Sequence, residues 1–380
     1  MTAVSPEWPR RVEVDLGTGR LSLDIARSAW PLDRLCGFAL RRNPKRAFLI
    51  VSRLLGRHIP ARPSEMRAAA RALAAALPVD LPGTVLTVGL AETAVCLGQT
   101  VHEEQARLRG TECHYLHSTR QEIEAPLLCR FEEPHSHASA HLIYRPRKLD
   151  LAGVGTLLLV DDEISTGTTL VNLAAAIASH LPSLERIAVA ALTDWSGGKD
   201  WLKAMPRPAR AASLLEGRLE WHPAAQAGAD REPDFAVAPG SLGRIGRHWN
   251  SGRLGVAAGE AMALPDYRPP GARRRLRIVG TGEFTYPPFL LAERLESEGH
   301  DVVVQATSRS PIVPGGAIGA VLRFADNYGT NVPNFLYNAD PSDGRHSIIC
   351  HETPPGSVDP ALVEALGAET LFFEGPSCAP

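Results

Sequence analysis

Apolar residues recur along this chain in two rhythms. Short continuous runs at Val85–Leu90, Leu157–Val160 and Ile187–Leu192 have the length of strands buried on both faces. Between the last two, Leu170, Leu173, Ala174, Ile177 and Leu181 fall on one face of a helix, and Ala68–Leu77 and Ala91–Gln105 read as further helices. Residues 12–28 alternate around Gly17-Thr-Gly19, which predicts an N-terminal hairpin. His114–Ser118 reads as a strand, residues 130–141 as a loop or ribbon, and Leu142–Tyr144 as its return. Strands alternating with helices predict an α/β fold with a mainly parallel sheet and flanking helices. Ligands gather at the carboxyl ends of such strands, so the loops after Leu90, Ser118 and Val160 should share one rim.

The rhythm fades over residues 196–275, which gain Gly, Pro, Arg and Ala. One strand, Leu214–Trp221, is expected inside that span, with an extended edge and a linker around it. Order returns at Leu276 with a strand, the glycine turn Gly280-Thr-Gly282, a helix opened by Pro287 and Pro288 and ended by Gly299, and a strand at Val302–Gln305. Asp359–Phe373 reads as a last helix and strand. The organisation expected is a first domain over residues 1–225, a linker over 226–275, and a second α/β, Rossmann-like domain over 276–380.

Composition narrows the class. The chain has 380 residues, enough for two or three domains, with 22% charged residues and a formal net charge of −2. No global basic field points to nucleic acid. Six scattered cysteines (Cys36, Cys96, Cys113, Cys129, Cys350, Cys378) form no Cys-x-x-Cys pair, which suits reduced thiols in the cytoplasm rather than a disulfide frame or a zinc site. No apolar run reaches membrane-spanning length and the N-terminus lacks a signal-peptide core, so a soluble cytoplasmic protein is expected.

The richest stretch is Thr156-Leu-Leu-Leu-Val-Asp-Asp-Glu-Ile-Ser-Thr-Gly-Thr-Thr169. Asp161 and Asp162 leave a strand together and can accept hydrogen bonds from vicinal ribose hydroxyls. Ser165, Thr166, Gly167, Thr168 and Thr169 can wrap a phosphate with backbone N–H groups and hydroxyls, at the positive end of the helix that follows. Gly167 allows the positive φ of such a turn. An ordinary strand–turn–helix with a capping side chain is the plainer alternative.

These residues resemble the 5-phosphoribosyl-1-pyrophosphate (PRPP) motif of type I phosphoribosyltransferases, the orotate phosphoribosyltransferase-like group included. The resemblance implies that the turn holding Gly89, Glu92 and Thr93 binds diphosphate and that Mg²⁺ arrives with PRPP, and Glu163 is expected to orient the acid pair or to bind a metal-held water. It implies a homodimer as well. In orotate-type relatives a loop near residues 131–141 carries a cation to the leaving diphosphate. Here His135 and His137 stand in that place, as cation or general acid, with a metal site or a solvated loop as the alternatives. Arg120, directly after a strand, is a candidate diphosphate ligand, whereas Arg41-Arg42-Asn43-Pro44-Lys45-Arg46 suits either a phosphate or a solvated turn.

In the second domain Gly280-Thr-Gly-Glu283 lacks the third glycine of a dinucleotide fingerprint. Thr307-Ser-Arg-Ser-Pro311 places Arg309 among hydroxyls, where it could clamp a phosphate or carboxylate. With Tyr286–Leu295, these residues resemble the TRSP domain found after phosphoribosyltransferase domains in tellurium-resistance and stress gene clusters. The combined resemblance implies phosphoribosyl transfer from PRPP to a nitrogenous acceptor in making a nucleoside-like metabolite, without membrane or nucleic-acid partners. A PRPP-sensing regulator with the second domain as effector is the alternative.

Overall fold

The computed structural model describes residues 8–41, 47–110, 112–132, 140–224, 243–245, 252–260, 262, 264–270, 274–330 and 332–374. His135, His137 and the Arg42–Arg46 part of the basic run lie outside these residues.

An eight-stranded sheet organises the first half. Its centre is five parallel strands, in the order Ala209–Pro223, Arg186–Asp194, Val154–Ile164, Thr84–Gly89 and Cys113–His117. The N-terminal hairpin Arg10–Asp15/Gly19–Ser28 adds antiparallel strands at one edge, and Val256–Ala257 closes the other. The central run is apolar throughout because both its faces are covered. Leu157 and Leu159 pack with Leu170, Leu173 and Ile177 of the Thr168–Ala178 helix. Leu158 and Val160 face the opposite core, with Ala69, Ala70 and Leu73 of the Pro63–Ala76 helix and Leu97 and Val101 of the Val95–Arg109 helix.

Two boundaries differ from expectation. The central strand continues through the acids to Ile164, because Asp161 and Glu163 pair in register with Ala191 and Thr193 of the neighbouring strand. The helix expected from Ala91 begins at Val95, and residues 90–94 form a turn instead. The span expected as linker is also partly built into the fold. Gly243–Ile245 pairs with Gln121–Ile123, and Arg253 is fully buried.

A second sheet of four parallel strands runs in the order Asp301–Ala306, Arg275–Gly280, His346–His351, Glu369–Phe372. Its core is not closed on itself: Leu276, Ile278, Phe289 and Val304 pack with Ala61, Met66 and Cys96 of the first half. Arg67 forks onto Glu293 at 2.6 and 2.8 Å across the same seam. A small antiparallel sheet, Cys36–Arg41 with Phe48–Ser52, receives the C-terminal segment Ile312–Val313 as its third strand. The carboxyl ends of the two parallel sheets therefore meet, and the turns that leave them touch.

Candidate active site

At this meeting point lies a cavity of about 280 Å³. The three loops expected on one rim all reach it: Leu90–Thr93, Arg120, and Asp161–Gly167 with Thr169. Gly89 and Thr168 do not line it. Gly89 serves close packing, since a Cβ there would stand 2.7 Å from the Tyr115 hydroxyl and 2.9 Å from the Ala94 carbonyl oxygen.

The phosphate-sized turn is built by backbone geometry. Gly167 has φ +81° and occupies the N-cap of the following helix, and the first helical N–H, that of Thr168, donates to the Thr166 hydroxyl at 3.4 Å. A Cβ at Gly167 would also lie 2.4 Å from the Trp201 ring, so both backbone and neighbour demand glycine. The Thr166 and Thr168 hydroxyls stand 3.0 Å apart.

The acids are tied to the turn opposite. Thr93 Oγ1 donates to Asp162 Oδ1 at 2.7 Å, and the Asp162 N–H donates to Asp161 Oδ1 at 2.9 Å. The neighbouring Ala91–Glu92 peptide is cis. Thus Ser165–Thr169, Asp161/Asp162 and Glu92/Thr93 follow one another along the cavity wall. Among the described residues no three His, Cys, Asp or Glu side chains are grouped as a protein-held metal would require. The cavity's oxygen donors, Asp161, Asp162, Glu163 and Glu92, suit a hard cation that draws its other ligands from a substrate or water.

Sequence reasoning missed Arg57 and His58. Arg57 is buried beneath Glu92, donating Nη2 to the Glu92 carbonyl at 2.5 Å and Nη1 to the Thr307 carbonyl. Burial lowers its pKa, against the pull of Glu92 and Glu283. His58, also lining the cavity, is pushed down to about 3 by burial and by Arg57 and Arg41, so its imidazole is neutral. The one local signal was Gly56 before them: its φ is +61°, and a Cβ would meet the Val304 carbonyl oxygen at 2.8 Å.

The second half supplies the remaining wall. Ser308, Arg309, Ser310 and Pro311 line the cavity, with Arg309 Nε 3.8 Å from Glu92 Oε1. The Gly280–Glu283 turn does not open onto it as an anion site. Its carboxylate instead holds the rim from behind: Glu283 accepts from the Arg120 N–H at 2.6 Å and from the Thr119 hydroxyl. Arg253, from the span read as linker, donates to Glu283 at 3.2 Å and bidentately to Glu352 at 2.9 Å, all within the interior. Burial alone would raise the Glu283 carboxyl, but Arg253, His117, Thr119 and Arg120 hold it below the usual range.

Residues 35–218 match the phosphoribosyl transferase family model, and residues 243–366 match the model of the TRSP domain that lies C-terminal to it. The chain thus joins a phosphoribosyl transferase domain to a TRSP domain. It is accordingly an enzyme of phosphoribosyl transfer. No match is found among curated proteins. Similar solved structures include the adenine phosphoribosyltransferase of Giardia lamblia, complexed with 9-deazaadenine, at 17% identity. That alignment covers 50% of this chain and 98% of that one, with a TM-score of 0.36. The adenine phosphoribosyltransferase of Rhodothermus marinus is 16% identical over 49% of this chain and 96% of its own, with a TM-score of 0.34. The Trypanosoma cruzi hypoxanthine phosphoribosyltransferase, in complex with IMP, is 13% identical over 44% and 82%, with a TM-score of 0.27. The helices searched include none long and apolar enough to cross a membrane among the described residues.

Proposed function

We propose that this phosphoribosyltransferase takes its phosphoribosyl group from PRPP and passes it to a nitrogenous acceptor, releasing diphosphate. The observation that carries this reading is the succession of the Ser165–Thr169 turn, the Asp161/Asp162 pair and the Glu92/Thr93 turn on one wall of one cavity. Their succession along the chain and through the Thr93–Asp162 bond suits a 5-phosphate, a ribose and a diphosphate in that order. The backbone N–H groups of the turn and helix start at Gly167, with the helix dipole, hold the phosphate. Asp161 and Asp162 accept from the two ribose hydroxyls, with Glu163 supporting them, and Thr93 keeps Asp162 in place.

In the reaction the C1–O bond breaks and its electron pair leaves on a diphosphate oxygen. The acceptor nitrogen gives its lone pair to C1, and the proton it sheds passes to solvent. Negative charge on the acid pair stabilises the oxocarbenium-like carbon, and positioning supplies much of the remaining acceleration. Mg²⁺ arriving with PRPP would offset charge on the diphosphate, and the carboxylates of the cavity that could share it are Glu92, Asp161, Asp162 and Glu163. Arg120 faces the diphosphate end, and the family resemblance adds His135 and His137 as its cations or acids.

Incubation of the whole chain with PRPP, Mg²⁺ and a metabolite extract tests the proposal. Diphosphate and new phosphoribosylated masses are expected. Tight PRPP binding with neither product would favour a regulatory protein, and no PRPP binding would end the reading.

A further inference from the structure

The turn at the proposed diphosphate end has the wrong charge for its ligand. Residues Leu90–Ala94 include the carboxylate Glu92 and no lysine or arginine. A diphosphate brought beside that carboxylate needs cations from elsewhere, or repulsion would oppose binding. Two guanidinium groups bracket Glu92, each 3.8 Å from one of its carboxylate oxygens: Arg57 and Arg309.

They differ in what they have left to give. Arg57 gives one N–H to the Glu92 carbonyl and one to the Thr307 carbonyl, so it fastens the turn to the C-terminal unit. Arg309 lines the cavity with its side chain only 13% exposed, yet its guanidinium makes no hydrogen bond among the described residues. Five N–H donors at a polar cavity, engaged only by one ion pair beyond hydrogen-bond length, are available to an acceptor that is not part of the protein. A forked guanidinium matches phosphate oxygens.

The segment that carries Arg309 is built rather than loose. Ser308 bridges Phe335, and the Tyr337 hydroxyl accepts from the Ile312 N–H at 2.8 Å while donating to the Ser310 carbonyl at 2.5 Å. Ile312–Val313 then continues as a strand beside Leu40 and Arg41. The guanidinium is thus held at the cavity, beside Glu92, from the second half of the chain.

We infer that Arg309 is the diphosphate-binding arginine of the transferase site, so that the TRSP unit completes the catalytic cavity instead of adding a separate activity. This rests on the reading that the cavity takes PRPP. Titrations of the whole chain with PRPP, inorganic diphosphate and ribose 5-phosphate, each with Mg²⁺, test it. Arg309→Gln should weaken diphosphate and PRPP by roughly tenfold or more, as for loss of a charge-assisted contact, and leave ribose 5-phosphate within about twofold. Arg309→Lys, which keeps a point charge, should recover part of the loss. Unchanged diphosphate affinity in Arg309→Gln would overturn the inference and point Arg309 toward the acceptor. So would equal loss of ribose 5-phosphate in both variants, because that ligand has no diphosphate to lose. If the unaltered protein binds neither PRPP nor ribose 5-phosphate, the fault lies with the reading of the cavity itself.

Discussion

Part of the cavity wall comes from near-consecutive residues, Asp161–Gly167 with Thr169, whereas another part is collected from Arg57 and Ser308–Pro311 and backed from the interior by Arg253 and Glu283. The first is a local device: a strand, two acids, a glycine turn and a helix start, each acting on its neighbours. The second exists only after folding, since Arg57 meets the Thr307 carbonyl across 250 positions and Arg253 meets Glu352 across 99. Ligand-holding chemistry is concentrated in the local wall. The assembled wall holds that chemistry in place and brings charge to it.

Breaking the assembled wall should have the largest effect. Arg253→Met leaves Glu283 and Glu352 buried without their shared guanidinium, a change that typically costs about 3–5 kcal/mol. Denaturant unfolding of the whole chain should show that loss. A loss under about 1 kcal/mol would mean that the seam is not held by this triad, and that the two halves pack independently of it.

The local wall should fail in rate first. Asp161→Asn or Asp162→Asn keeps shape and hydrogen bonding but removes charge from the proposed ribose site. Diphosphate release from PRPP should fall by about a hundredfold to a thousandfold, with unfolding little changed. Near-normal turnover in both variants would make the acid pair structural and remove the contrast between the walls.

These two tests also show what sequence alone can reveal. The acid pair and the Gly167 turn stand out as a pattern because they are neighbours in the chain, although Thr93, the partner of Asp162, lies 69 positions away. The end of the strand was misjudged because its extension to Ile164 depends on Ala191 and Thr193, on another strand. The start of the Val95 helix was placed early because Ala91–Ala94 has helix-compatible composition, and only the tertiary site makes it a turn. Arg253 lay in a stretch without periodicity. A buried arginine has no signature until the carboxylates that pair with it are known. Arg309 was visible as a cation among hydroxyls, but the cavity it lines belongs to a different part of the chain.

Gly167→Ala probes the local wall at a smaller scale. It forces a side chain into φ +81° and into the Trp201 ring at 2.4 Å. The combined strain and overpacking should cost about 2–3 kcal/mol in unfolding free energy, with weaker ribose 5-phosphate binding. If stability falls while that affinity holds, the turn matters to packing and not to the phosphate.

The mildest test returns to the assembled wall through pH. His58 sits beside Arg57 with its pKa pushed down to about 3, against about 6.5 for an unhindered histidine, because burial and two neighbouring arginines oppose its protonation. Between those values the unfolded chain binds the proton and the folded chain does not. The stability due to this neutral imidazole is therefore complete above about pH 6.5 and declines as pH falls, by up to about 1.4 kcal/mol per pH unit. His58→Gln, which keeps a polar side chain without a titrating ring, should flatten the part of the stability profile between pH 6.5 and 4 that this residue contributes. His102, similarly pushed down to about 4 by burial away from the cavity, leaves its own slope in both proteins, so the difference between the two profiles isolates His58. Parallel profiles would show that the pocket behind Arg57 admits a proton in the folded state, and with it enough water to weaken the field that the assembled wall is argued to supply.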